Sequence, residues 1–237
     1  FEVFLADSSY ALVEAVPLPV FAKPQAFGLL PDDHPCNGGA SGNVALLPMI
    51  GAGAPDLVIL LGARLGLILG GRSGAIVPHT AKVAQIYGDA GEIGRIRDIE
   101  LPIAADCAQT LDALTAALAA AKRPDFGGWT ARATAAKTLF AGQYPDALSV
   151  GGIHPFHAAR AVAAAAGRDA AYVFDGGEAA SWGTATVAVD APGQVLSSSV
   201  MECRTAPASH PTSQVVEHCA ADWSGAHDTV TVAVTCT

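Results

Sequence analysis

The chain has 237 residues, 51% hydrophobic and 15% charged, and its 13 lysines and arginines against 22 aspartates and glutamates leave a formal net charge of −9. That length and apolar content can build a core without disulfide staples, and they exclude a disordered tail or a solvated coiled coil. The negative balance repels phosphate backbones and anionic lipid faces, so neither a nucleic-acid nor a membrane partner is expected.

The longest apolar stretch, residues 57–69, is broken by Gly62, Arg64 and Gly66 and falls short of the ~20 residues a bilayer crossing needs. The first residue is Phe1, and no basic, apolar and small-residue signal pattern follows it. Cys36, Cys107, Cys203, Cys219 and Cys236 are odd in number and show no Cys-x-x-Cys spacing, which reads as free thiols in a reducing, cytoplasmic setting.

In chain order, residues 1–120 alternate short apolar runs with Gly and Pro. Leu57–Leu61 stops at Gly62-Ala63-Arg64, and Lys82–Tyr87 stops at Gly88-Asp89; both read as buried strands. A third run, Leu101-Pro102-Ile103-Ala104-Ala105, leads into Asp106 and a helix whose Leu111, Leu114 and Leu118 follow the helical period. Strand, loop and helix recurring in this way predict an α/β domain with a parallel sheet. Ligands of such sheets sit at the carboxyl ends of the strands, which makes residues 62–74, 88–94 and the turn at Asp106 the candidate site.

Residues 121–151 read as a linker with a short helix around 129–140. After His154-Pro155-Phe156-His157 comes an Ala-rich helix. The run Ala171–Phe174 then reads as a strand ending at Asp175-Gly176-Gly177. Beyond residue 198 the composition turns Ser- and Thr-rich, as a foreign or out-of-frame ending would. Only 229–235, where Val230, Val232 and Val234 alternate with polar or small residues, reads as a strand.

Three segments carry a family resemblance. Residues 54–64 (Ala-Pro-Asp-Leu-Val-Ile-Leu-Leu-Gly-Ala-Arg), Gly88-Asp89-Ala90-Gly91-Glu92-Ile93-Gly94-Arg95 and His154-Pro155-Phe156-His157-Ala158, in this order, resemble thiamine-diphosphate enzymes of the acetolactate synthase and benzaldehyde lyase group. The similarity spans about residues 11–198. It implies a Rossmann-like central domain over 1–120, the linker at 121–151, an incomplete second α/β unit of diphosphate-domain type over 152–198, and an unassigned, irregular tail over 199–237.

The resemblance also implies cofactors. Thiamine diphosphate and Mg²⁺ belong to the family, whose metal motif is Gly-Asp-Gly followed by an Asn; here Asp175-Gly176-Gly177 departs from it, and the only asparagines, Asn37 and Asn43, lie upstream. No segment in 1–10 matches the domain that supplies the cofactor-activating carboxylate. The central domain of the family holds FAD or ADP in some members. Carried over, Gly62, Ala63 and Arg64 would approach the diphosphate, and Asp89, Glu92, Ile93 and Asp106 would line the ribose and adenine, whereas Tyr87 stands where nucleotide-binding relatives carry an acid. Trp182 matches an aromatic of the lyase branch.

Three functional expectations result. The first is a carboligase or lyase relative that does not turn over alone; the second is a module holding an adenine nucleotide, or purely structural. The third is a serine hydrolase using Ser41, Ser73 or Ser181, although Gly71-Arg72-Ser73-Gly74 is not a Gly-x-Ser-x-Gly elbow. No metal site is expected: Cys203, His210, His218, Cys219 and His227 fit no zinc spacing, and His154 and His157 read as helix-start and packing residues. The open edges of a partial second unit predict a homo-oligomer or a tail used as cover.

Overall fold

A computed structural model describes residues 2–122, 125–144, 152–174, 177–197 and 231–234. The chain forms two compact units, Phe1–Ala147 with Ala188–Gly193, and Leu148–Val187 with Gln194–Thr237. Among the described residues no helix is long and apolar enough to cross a membrane.

The first unit opens with helix α1 (Glu2–Ala15), then a short parallel pair, β1 (Val20–Ala22) and β2 (Asn37–Ala40). Its main sheet contains β3 (Leu57–Leu61), β4 (Lys82–Tyr87) and β5 (Leu101–Ala104), parallel and in the order β3-β4-β5. The apolar runs of the sequence become these strands because a parallel strand between two neighbours buries both faces. Val83 and Ile86 of the central strand are accordingly buried. Pro102 is accommodated in β5, at the sheet edge, where its missing N–H costs no ladder bond.

The connections differ from the expected alternation. Between β3 and β4 the chain makes a 3-10 turn, Leu67–Leu69, and between β4 and β5 another, Ala90–Glu92, whereas an α-helix follows only β5. Gly62, Gly70, Gly71 and Gly74 all have positive φ, so the first crossover cannot propagate a helix. Helix α2 (Cys107–Ala120) packs on α1, and its Leu111 is fully buried. The main core of this half joins Leu60, Leu65, Leu69, Val77 and Val83.

The anticipated single helix of the linker is two, α3 (Gly127–Thr134) and α4 (Ala136–Gln143). They close a second core in which Leu47, Ala52, Ala133 and Ala136 meet Trp129, whose indole N–H donates to the Ala52 carbonyl at 3.0 Å. Both asparagines serve local structure: Asn37 Nδ2 donates to Leu30 and Pro31 carbonyls, and Asn43 Nδ2 to that of Gly38. Residues Ala188–Gly193 complete this unit. Val189 is buried, Asp190 Oδ1 accepts from the Asp32 amide at 3.1 Å, and a Cβ on Gly28 would stand 2.1 Å from the Ala191 carbonyl oxygen.

The second unit centres on β6 (Ala171–Phe174), flanked in parallel by β7 (Val195–Ser197) and β8 (Thr231–Val234), with helices α5 (Pro155–Ala166) and α6 (Gly177–Thr184). Strand β8 falls within the alternating 229–235 stretch. His154 is the α5 N-cap, its Nδ1 accepting from the Phe156 amide at 3.2 Å, with Pro155 at the first helical position, as the dipeptide suggested. Gly183 lets α6 approach Phe174: a Cβ there would lie 2.1 Å from its ring. Asp175, Gly176 and the tail residues Cys203, His210, His218, Cys219 and His227 lie outside the described residues.

Candidate functional site

The loops leaving β3 and β4 enclose a cavity of about 310 Å³. Its polar wall carries Lys23, Arg64, Glu92 and Arg95, and its apolar wall includes Ile68 and Ile96. Of the seven residues expected here, Arg64 and Glu92 line this cavity. Arg64 Nη1 donates to Glu92 Oε2 at 3.2 Å, and Arg95 Nη1 donates to Glu92 Oε1 at 2.7 Å.

The other expected residues work in the walls. Gly62 adopts φ +55° as β3 ends, its amide donating to the Ile86 carbonyl at 3.0 Å. The Ala63 carbonyl accepts from Gln85. Asp89 caps the 3-10 turn by accepting from the Gly91 amide at 2.8 Å, and Ile93 ends that turn. Asp106 caps α2, accepting from the Gln109 amide at 3.0 Å. Two of the three expected carboxylates are thereby engaged with backbone amides, an ordinary use of Asp at a helix start.

Gln85 joins the two loops. It sits on the central strand, 2% exposed; its Nε2 donates to the Ala63 carbonyl and its Oε1 accepts from the Gly94 amide, each at 3.0 Å. Sequence reading passed over it, although a polar residue inside the apolar run Lys82–Tyr87 was the available signal, since a buried carboxamide must find partners. Arg95, the last residue of the Gly88–Arg95 segment, joins the lining although the resemblance assigns it no role. Arg97, also in the cavity lining, holds the neighbouring loop, its guanidinium donating to the carbonyls of Pro78 at 3.0 Å and Ala81 at 2.9 Å. Beneath the Gly62 turn, burial pushes the Cys107 thiol above its ordinary range; the Gly62 backbone hydrogen bond opposes this and Asp106 adds to it.

With four cationic side chains, Lys23, Arg64, Arg95 and Arg97, to one carboxylate in its lining, the cavity has the charge of an anion site in an otherwise acidic chain. The metal-bound cofactor is a different matter. Among the described residues no group of three or more His, Cys, Asp or Glu side chains could hold a metal ion, and the asparagines are committed to backbone carbonyls. The described residues, which leave out Asp175 and Gly176, do not fit thiamine diphosphate with Mg²⁺. The serines are likewise engaged locally: Ser73 Oγ accepts from the Ala75 amide, Ser181 Oγ donates to the Gly177 carbonyl, and Ser41 is buried.

Residues 6–114 match the family model described as thiamine pyrophosphate enzyme, central domain. The acetolactate synthase large subunit of Corynebacterium glutamicum is 28% identical over 139 residues, covering 57% of this chain and 22% of that protein. Acetolactate synthase of Mycobacterium bovis is 27% identical over 191 residues, covering 79% of this chain and 31% of that protein. The chain thus spans less than a third of the length of these relatives. In fold it is similar to the thiamine diphosphate-dependent 4-hydroxybenzoylformate decarboxylase of Rhodococcus jostii RHA1, with a TM-score of 0.55 at 22% identity, over 81% of this chain and 34% of that one.

Proposed function

We propose, from the premise that this chain resembles thiamine-diphosphate-dependent enzymes of the acetolactate synthase type and carries their central domain in residues 6–114, that its own work is to bind an adenine nucleotide rather than to catalyse carboligation alone. The observation that carries this reading is the cavity at the ends of β3 and β4, where Lys23, Arg64 and Arg95 face one space beside an apolar wall. Guanidiniums pair with phosphate oxygens through forked donors, and isoleucine and leucine side chains suit the flat face of a base. Carboligation or lyase chemistry then belongs to a protein in which further parts supply the activating carboxylate and the metal ligands.

Native mass spectrometry of the chain, alone and with ADP, FAD, or thiamine diphosphate plus Mg²⁺, tests this. A mass shift with ADP or FAD that Arg64→Ala abolishes is the expected result. A shift only with thiamine diphosphate overturns it, as does acetolactate formation from pyruvate by the chain itself. The same spectra read the oligomeric state: exposed Leu57 and Leu101 on the outer strands of the main sheet support a homo-oligomer.

A further inference from the structure

The cavity at the ends of β3 and β4 sets two guanidiniums against a single carboxylate. Each oxygen of Glu92 is taken by a different arginine, Oε2 by Arg64 at 3.2 Å and Oε1 by Arg95 at 2.7 Å. The Glu92 side chain is 20% exposed, whereas those of Arg64 and Arg95 are 61% and 63% exposed. The acid therefore lies inward and the two bases reach outward over it. Glu92 is the last residue of the 3-10 turn Ala90–Glu92, which Asp89 caps from outside the carboxylate cluster. Its position is thus set by the backbone and not by the ion pairs alone.

A carboxylate so placed offers the arginines the same pair of anionic oxygens that a phosphate group would. Lys23 lines the same cavity, so the cluster keeps a positive excess even with Glu92 in it. Leu67, 91% exposed, and Ile68, 45% exposed, stand on its apolar side.

We propose that Glu92 is a built-in competitor for this site: its carboxylate holds the Arg64 and Arg95 guanidiniums in position until the phosphate of a small phosphorylated ligand takes over those donors. The ligand class is a phosphate or diphosphate carrying a flat or apolar body, the body resting on Leu67 and Ile68. This rests on the anion-binding reading above. Affinity is then set by the difference between two anions competing for one pair of cations, and removing the internal charge tightens binding.

The test is calorimetric titration of the full chain and its Glu92→Gln variant with ADP and, separately, with inorganic pyrophosphate. Glu92→Gln keeps the size and turn position of the side chain while removing its charge, and its Kd for both probes is expected to fall about tenfold. Arg64→Ala in the Glu92→Gln background should cancel the gain, and the gain should shrink in high salt, where exposed charges are screened. Tighter binding of ADP than of pyrophosphate identifies the apolar wall as the seat of a base; equal binding assigns the site to the diphosphate alone, and both keep Glu92 as competitor. If the wild type binds ADP and Glu92→Gln binds it equally or more weakly, Glu92 is not a competitor, and the nucleotide reading stands without it. If wild type, Glu92→Gln and Glu92→Ala all show native circular dichroism and none binds either probe, both readings fall.

Discussion

The two central strands of this chain, β4 in one unit and β6 in the other, bury polar atoms for opposite ends. In β4 the buried Gln85 turns its carboxamide toward the loops of the cavity, joining the Ala63 carbonyl to the Gly94 amide. In β6 the buried Tyr172 sends its hydroxyl to the Gly167 carbonyl at 3.2 Å, satisfying the end of helix α5, and Phe174 seals against Gly183. Both strands are parallel and lie between two neighbours, so the sheet itself does not account for the difference. What differs is the connections each strand serves: glycine-rich crossovers lack helix hydrogen bonds and must borrow a side chain for their backbone groups, whereas helical connections satisfy most of theirs internally and leave only their ends. A buried carboxamide on a central strand, with both a donor and an acceptor to spend, thus marks the unit whose loops need holding.

The comparison breaks most visibly at Phe174, 2% exposed. Phe174→Ala should lower unfolding free energy by about 3–5 kcal/mol, read by urea denaturation, because it opens a cavity under α6. Gln85→Leu should cost about 1–3 kcal/mol by removing two hydrogen bonds, those to the Ala63 carbonyl and from the Gly94 amide. It should also remove the hydrogen-exchange protection of the Gly94 amide; protection that persists would show that the loops do not depend on Gln85. Tyr172→Phe should cost about 1 kcal/mol, the net worth of a neutral hydrogen bond, with no change in exchange at Gly94.

The smallest effect is a pH dependence. Burial pushes the Cys107 thiol above its ordinary value of 9.0, so the unfolded chain loses this proton first. Stability is full below pH 9.0 and declines as the pH rises from there toward the higher folded-state value. Wild type should lose stability above pH 9.0 more steeply than Cys107→Ala, by urea unfolding compared at each pH; equal slopes would place the thiol in contact with water.

Strands β3 and β4 were legible in the sequence because largely apolar runs ending at glycine leave few alternatives, and β5 because its apolar run stops at the Asp106 helix start. Asp106 and His154-Pro155 were legible as helix starts because capping is a local act of neighbouring residues. Helix α1 was passed over: its Ser8, Ser9 and Asp7 are indifferent helix formers, and what holds it is packing on α2. The candidate site was half legible. Gly62, Arg64 and Glu92 belong to motifs, but that Asp89 and Asp106 spend their carboxylates on backbone amides depends on loop conformation. The meeting of Lys23, Arg64 and Arg95 at one cavity is a product of the fold, since their separation in the chain carries no period or spacing to read.

The seat of Ala188–Gly193 on Gly28 and Asp32 has a temporal consequence. A ribosome delivers residues in order, and the flank of the first unit around Gly28 waits for a stretch made only after α5, β6 and α6 have emerged. The nascent chain therefore cannot finish its first half before beginning its second. For the same reason a gene cut after codon 147 would encode a piece with that flank open. A separable first unit would need residues 188–193 grafted back, or Gly28 and Asp32 given a new neighbour.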